Sequence, residues 1–337
     1  MNLFRPSRAD RVQTLDLNTL DRPPEFVSGL QSLESRLGSK YVAQRLRIEA
    51  DHETAMSRKA KPSFNLESRF SERALILGLR LTGLYARGRR NALSIEVRRH
   101  EAQIANFPAA FDGFTILHLS DLHIDLTPAF SGALIEAIEP LAYDLCVLTG
   151  DYRAQTFGPF EAALEGMGQL KPHIKSPAYA VLGNHDSICM VPAMESMGYS
   201  FLINEHIRIK RSGRDLHIAG IDDAHFYCLE DCRRAAQEIP RDETSILLSH
   251  TPEAYRQAAD AGFALMLCGH THGGQICLPG GVALLTEAKS PRQFVRGAWR
   301  YRDMIGYTSV GAGTCIVDVR LNCRPEVTLH RLRRTEP

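Results

Sequence analysis

The chain has 337 residues, 44% hydrophobic and 23% charged. That balance suits one large globular domain or two ordinary ones, and excludes a mainly disordered chain, a collagen-like chain and a multi-span membrane protein. The formal charge is +1 but uneven: residues 1–100 carry 19 Lys+Arg against 11 Asp+Glu, and residues 101–337 carry 21 against 28. A basic arm on an acidic body implies an anionic partner for the arm. A membrane surface is expected before a nucleic acid, because few aromatics interleave with the arginines to stack bases. Met1 to Gln13 is polar with three Arg and an Asp, so no secretory apolar core is present. Eight cysteines are too sparse for a disulfide scaffold, and Cys228 and Cys232, four apart, fit no common zinc pattern. A cytoplasmic protein with reduced thiols is expected, its oligomeric state unspecified.

Residues 1–68 form a polar extension, broken near Arg22-Pro23-Pro24, with a helical patch from Gln31 to Glu53. Residues 69–91 predict one hydrophobic and basic helix that opens the main domain, 69–337. Ser71 is its expected cap, and Arg87, Arg89 and Arg90 complement the dipole at its end. Its apolar stretch, Ala74 to Ala86, is broken by Arg80 and too short to cross a bilayer. Arg73, Arg80 and Arg87 recur every seven residues and share a stripe. The helix either packs on the body with arginines at the rim or lies on anionic head groups, peripheral to a membrane.

From Ile95 the texture changes, and five short apolar runs end in polar clusters. The run from Phe114 leads into Asp121, that from Asp144 into Gly150-Asp151, and that from Ala178 into Gly183-Asn184-His185-Asp186. The run from Ser245 leads into His250, and that from Ala264 into Gly269-His270-Thr271-His272. Such runs suit strands buried on both faces. Helical patterns lie between them, at Phe130–Leu141 and Phe160–Leu170, which indicates an α/β fold. Ligands then collect beyond the carboxyl ends of the strands.

Those ends offer Asp121, His123, Asp151, Asn184, His185, His250, His270 and His272. Two carboxylates, one amide oxygen and five imidazoles, without thiolate, suit Mn²⁺, Fe²⁺, Zn²⁺ or similar ions. One strand-end histidine means little, but five strand ends that all supply ligand-type residues point to a metal site. The other eight histidines are expected to be structural, with His225 the least secure because it follows Asp222-Asp223 after another apolar run.

These blocks, in this order, resemble the calcineurin-like metallophosphoesterase superfamily. The extended block Gly269 to Gln275, Gly220-Ile221-Asp222-Asp223 and the tail Asn322 to Leu329 resemble its bacterial YaeI-, YkuE- and LpxG-like branch. The likeness covers about residues 70–337. It implies two facing mixed β-sheets flanked by helices, a four-layer sandwich, with a dinuclear site at the sheet edge. It also implies roles: Asp121, His123 and His272 on one metal, Asn184, His250 and His270 on the other, and Asp151 bridging. His185 would stand at the leaving group, oriented by Asp186. The implied cofactors are two divalent ions, Mn²⁺ foremost, with Zn²⁺, Fe²⁺ or a mixed pair as alternatives. The implied activity is hydrolysis of a phosphodiester or pyrophosphate by hydroxide from a water bridging two cations. A membrane-associated nucleotide-lipid such as UDP-2,3-diacylglucosamine, of lipid A synthesis, is one expected substrate. Soluble substrates such as cyclic nucleotides are a second reading, and a non-enzymatic scaffold a third.

Overall fold

The computed structural model describes residues 24–59, 73–283, 286 and 288–335. Two six-stranded mixed sheets face each other. In the first, β1 (Glu96–Ile104) pairs parallel with β14 (Glu326–Arg334), and β14 pairs antiparallel with β2 (Thr115–Leu119). The parallel strands β3 (Leu145–Leu148), β4 (Ala178–Ala180) and β5 (Tyr199–Phe201) follow β2. In the second, the hairpins β6–β7 (Glu205–Arg211, Arg214–Gly220) and β12–β13 (Gly297–Tyr301, Met304–Thr308) flank the parallel strands β8 (Thr244–Leu248) and β9 (Leu265–Cys268). A small hairpin, β10–β11 (Cys277–Leu278, Val282–Ala283), stands apart.

The period-two geometry of a strand builds the layers. Ile116, Leu145, Val147, Ile246, Leu248, Leu265 and Leu267 fill the space between the sheets. Their neighbours Leu117, Leu119, Cys146 and Leu148 turn outward to meet helices α5 (Phe130–Ile138), α6 (Glu161–Leu170) and α7 (Val191–Ser196). On the far side Leu247, Met266 and Cys268 meet α8 (Cys232–Ala235) and α9 (Tyr255–Ala261). Both faces of the central strands are buried, so their sequences read as unbroken apolar runs rather than alternation.

The expected patch at 31–53 is two helices, α1 (Pro24–Leu37) and α2 (Ser39–Lys59), separated at Gly38, whose φ of 94° ends α1. Leu30, Leu33 and Leu37, spaced three and four apart, enter the outer core of the first sheet with Val42. Part of the basic arm's charge is spent on the acidic body: Arg36 pairs with Glu195 and Glu205, Arg89 with Asp318, and Arg98 with Glu326.

The single helix expected at 69–91 is also divided. Residues 73–81 (α3) and Leu84–Ala92 (α4) are helical, and Gly83, at φ 72°, breaks them; the proposed cap Ser71 lies outside the described residues. Leu79 packs on Val317, Val319 and Leu321, while Leu77 and Leu81 on α3 stay exposed. Among the described residues no helix is long and apolar enough to cross a membrane.

Candidate metal centre

β2, β3 and β4 are parallel neighbours in one sheet, and β8 and β9 in the other. Their carboxyl ends therefore deliver Asp121 and His123, Asp151, Asn184 and His185, His250, and His270 and His272 to one edge of the sandwich. The backbone there is strained: Asp121, His123, Asp151, His270 and His272 all take positive φ, between 39° and 72°. Left-handed conformations at non-glycine residues are costly and gather where a site must aim its side chains. Close approach enforces glycine beside them. A Cβ at Gly183 would lie 2.2 Å from Asp151 Oδ1, and one at Gly269 1.9 Å from Ser120 Oγ.

The side chains form two sets of ligand-type atoms that share one residue. Asp121, His123, Asp151 and His272 make the first, with His123 Nε2 3.1 Å from His272 Nε2 and 3.6 Å from Asp151 Oδ2, and His272 Nε2 3.5 Å from Asp121 Oδ1. Asp151, His250 and His270 make the second, with His250 Nε2 3.3 Å from Asp151 Oδ2 and 3.2 Å from His270 Nδ1. Asn184 joins it, its Oδ1 2.9 Å from His250 Nε2.

The next layer fixes these rings. His123 Nδ1 donates to the Arg153 carbonyl (2.8 Å) and His250 Nδ1 to the Thr149 carbonyl (2.7 Å), so both Nε2 lone pairs face inward. Carboxylate, amide-oxygen and imidazole groups thus converge, which is the chemistry of a cation site. Burial pulls His123 down to about 4, and His270 and His272 well below the usual imidazole range. His250 moves up to about 10: burial opposes its charge, but the Asp151 carboxylate outweighs that. Burial also pushes Asp121 up to about 6.

Asp121 ends a buried polar chain. His100, His330 and His118 run through the sheet to Thr149 Oγ1 and Ser120 Oγ, and Ser120 Oγ donates to Asp121 Oδ2 (2.5 Å). The expectation for Asp186 needs correction. Its buried carboxylate accepts the N–H groups of Gly183, Asp151 and Tyr152, at 2.7–2.9 Å, and so ties the ends of β3 and β4 together. The His185 ring is oriented by the Ala154 carbonyl, 2.9 Å from Nδ1. Asp125 accepts the Ala154 N–H (2.7 Å) and shapes the same loop.

His225, expected to be structural, lies beside the centre: its ring is 4.3 Å from that of His270 and its Nδ1 2.8 Å from Glu253 Oε1. Its position after β7 was a usable signal, because β7 lies next to β8 in the same sheet. Cys315 was missed altogether, and its Sγ shares a ligand-sized cluster with His123 and His272.

The family model for calcineurin-like phosphoesterases matches residues 114–274, the span that holds all eight strand-end residues. Phosphodiesterase YaeI of Escherichia coli is 30% identical over 254 residues, 70% of this chain and 88% of its own. The chain belongs to the calcineurin-like metallophosphoesterases. YkoQ, a metallophosphoesterase of Bacillus subtilis, is 30% identical over 64% of this chain and 83% of its own. A transmembrane protein with a metallophosphoesterase domain from Danio rerio is 29% identical over 68% and 55%. This metallophosphoesterase is therefore a phosphoester hydrolase of a dinuclear, metal-dependent family.

Proposed function

We propose that the chain hydrolyses a phosphodiester or pyrophosphate bond with two divalent ions, on a substrate presented at a lipid surface. Asp121, His123 and His272 would hold one ion, Asn184, His250 and His270 the other, and Asp151 both. The observation that carries this is the reach of Asp151 into both ligand sets. When bound, two divalent ions neutralise the phosphate and make a water nucleophilic at neutral pH. The chain supplies the rest. His185, half-buried, has Nδ1 committed to Ala154, so Nε2 is the atom that hands a proton to the departing oxygen.

Turnover of bis-p-nitrophenyl phosphate by the full chain with added Mn²⁺, Zn²⁺ or Fe²⁺ tests the reading. No turnover at any metal loading would leave only a scaffold. His185→Ala should keep its metal content and lose about 10²–10⁴-fold in kcat. A variant that loses metal instead would show that His185 is not the acid.

The lipid surface is supported by the arrangement around α3. On α3, Leu75, Leu77 and Leu81 are exposed together with Arg73 and Arg80, and Arg87 on α4 is exposed as well. Val317 packs beneath this helix, and its neighbour Ile316, next to Cys315, is 65% exposed. Exposed leucines with arginines suit an anionic interface. A nucleotide-lipid such as UDP-2,3-diacylglucosamine belongs to this class. Co-sedimentation with anionic vesicles at low salt is expected, and Leu77→Glu with Leu81→Glu should abolish it. Full chain left in the supernatant would favour soluble substrates such as cyclic nucleotides.

A further inference from the structure

We propose that Cys315 is a ligand of the first metal ion, so that this position takes a thiolate beside its imidazoles and carboxylates. The proposal rests on the metal-centre reading above and adds a donor that none of the strand-end motifs contains. Cys315 lies in the connection from β13 to β14, far in sequence from those motifs. Its Sγ and ring nitrogens of His123 and His272 all lie within 4.8 Å of one another, and His123 and His272 also belong to the first ligand set. Bonds of about 2.3 Å to sulfur and about 2.1 Å to nitrogen put two ligands of one ion up to about 4.4 Å apart. The two nitrogens, 3.1 Å apart, cannot both stand opposite the sulfur, and at tetrahedral angles each lies about 3.6 Å from it, so a shift of at most about 1.2 Å brings sulfur and both nitrogens to one ion.

The backbone that carries the thiol is fastened from two sides, and Sγ itself stands 4.0 Å from His185 Nε2. Gln275 grips the backbone of its residue: Oε1 accepts the Cys315 N–H (2.8 Å), and Nε2 donates to the carbonyls of Cys315 (2.9 Å) and Val317 (3.0 Å). Gln275 closes the same block that supplies His270 and His272. On the other side Gly313 N donates to the Asp121 carbonyl (2.9 Å). A Cβ at Gly313 would lie 2.1 Å from the Leu122 carbonyl oxygen, so this contact admits only glycine. Arg320, fully buried, donates to the carbonyls of Gly313 (2.6 Å) and His272 (3.1 Å), which locks the cysteine loop to a ligand residue. A loop anchored to Asp121, His272 and Gln275 moves with the centre.

The consequence is a difference between the two positions. Thiolate selects Zn²⁺, Co²⁺ or Fe²⁺ over the harder Mn²⁺. The second position, served by Asp151, Asn184, His250 and His270, offers only oxygen and nitrogen. The first is therefore the thiophilic one, and a mixed pair is favoured over two Mn²⁺. Binding transfers the thiol proton to solvent as the metal–sulfur bond forms.

Cobalt tests this without recourse to activity. Metal-free full chain titrated with Co²⁺ should develop visible d–d bands together with a near-ultraviolet thiolate-to-cobalt charge-transfer band. Cys315→Ser should bind the same amount of Co²⁺, keep the d–d bands and lose the near-ultraviolet band, whereas Cys323→Ser should keep both. Visible bands without the charge-transfer band in the unmodified chain, or a band that survives Cys315→Ser, would overturn the assignment and leave the metal centre standing. A chain that takes up no Co²⁺ would overturn both.

Discussion

Asp151→Asn is expected to release both metal ions and to abolish phosphodiester turnover. The residue is fully buried, and one of its oxygens faces His250 and His123 together. It belongs to both ligand sets, so one substitution weakens two sites. Asparagine keeps an oxygen for the His185 N–H that Asp151 Oδ1 accepts (2.9 Å), so the loop bearing His185 survives. The variant removes charge while sparing the fold. Losing one preorganised donor costs roughly 10²–10³ in rate. Here the effect should be larger, because on the proposed reading Asp151 would serve both cations and the variant removes its charge. Metal content by elemental analysis and turnover of bis-p-nitrophenyl phosphate provide the check. A variant with two ions per chain and undiminished turnover would remove Asp151 from the shared position.

The centre was legible in sequence because central strands buried on both faces write themselves as apolar runs, and each run stops where a polar cluster begins. β2, β3, β4, β8 and β9 all obey this. The edge strand β6 does not: its residues are half-buried or exposed and read Glu-His-Ile-Arg-Ile-Lys-Arg, a pattern that resembles surface. The partition of labour between His185 and Asp186 was illegible for another reason. Adjacent residues in a turn can point to different partners, and only the folded loop shows that Asp186 turns to three backbone N–H groups. Cys315 gives no local signal, because its partners are set by chain returning from another sheet. The same holds for Arg45, which in sequence is one more charge on a basic arm and in the fold has no exposed surface.

Arg45→Ala should cost about 3–5 kcal/mol of stability, the usual effect of removing one partner from a buried ion pair. Arg45 Nε donates to Asp222 Oδ2 (3.0 Å), Nη1 to Glu49 Oε1 (2.6 Å) and Nη2 to the Asp186 carbonyl (3.2 Å). Its guanidinium lies 3.2 Å from the centroid of the Tyr227 ring. Truncation leaves the Asp222 carboxylate buried, supported by Tyr41 Oη and the Asp223 N–H but facing no cation. Arg45→Ala with Asp222→Asn should therefore recover part of the loss, since the double variant no longer buries an unpaired charge. Denaturant midpoints with an unchanged slope measure both effects. The site should feel the change as well. Glu49, held by Arg45, accepts from Ser187 Oγ (2.5 Å) and the Ile188 N–H (2.9 Å), directly after His185 and Asp186. Helix α2 thus clamps the segment that carries Asn184 and His185, and loosening it should lower turnover even where the chain remains folded. A loss below about 0.5 kcal/mol, in the range of an ordinary surface substitution, would mean that α2 is not part of the domain that holds the centre.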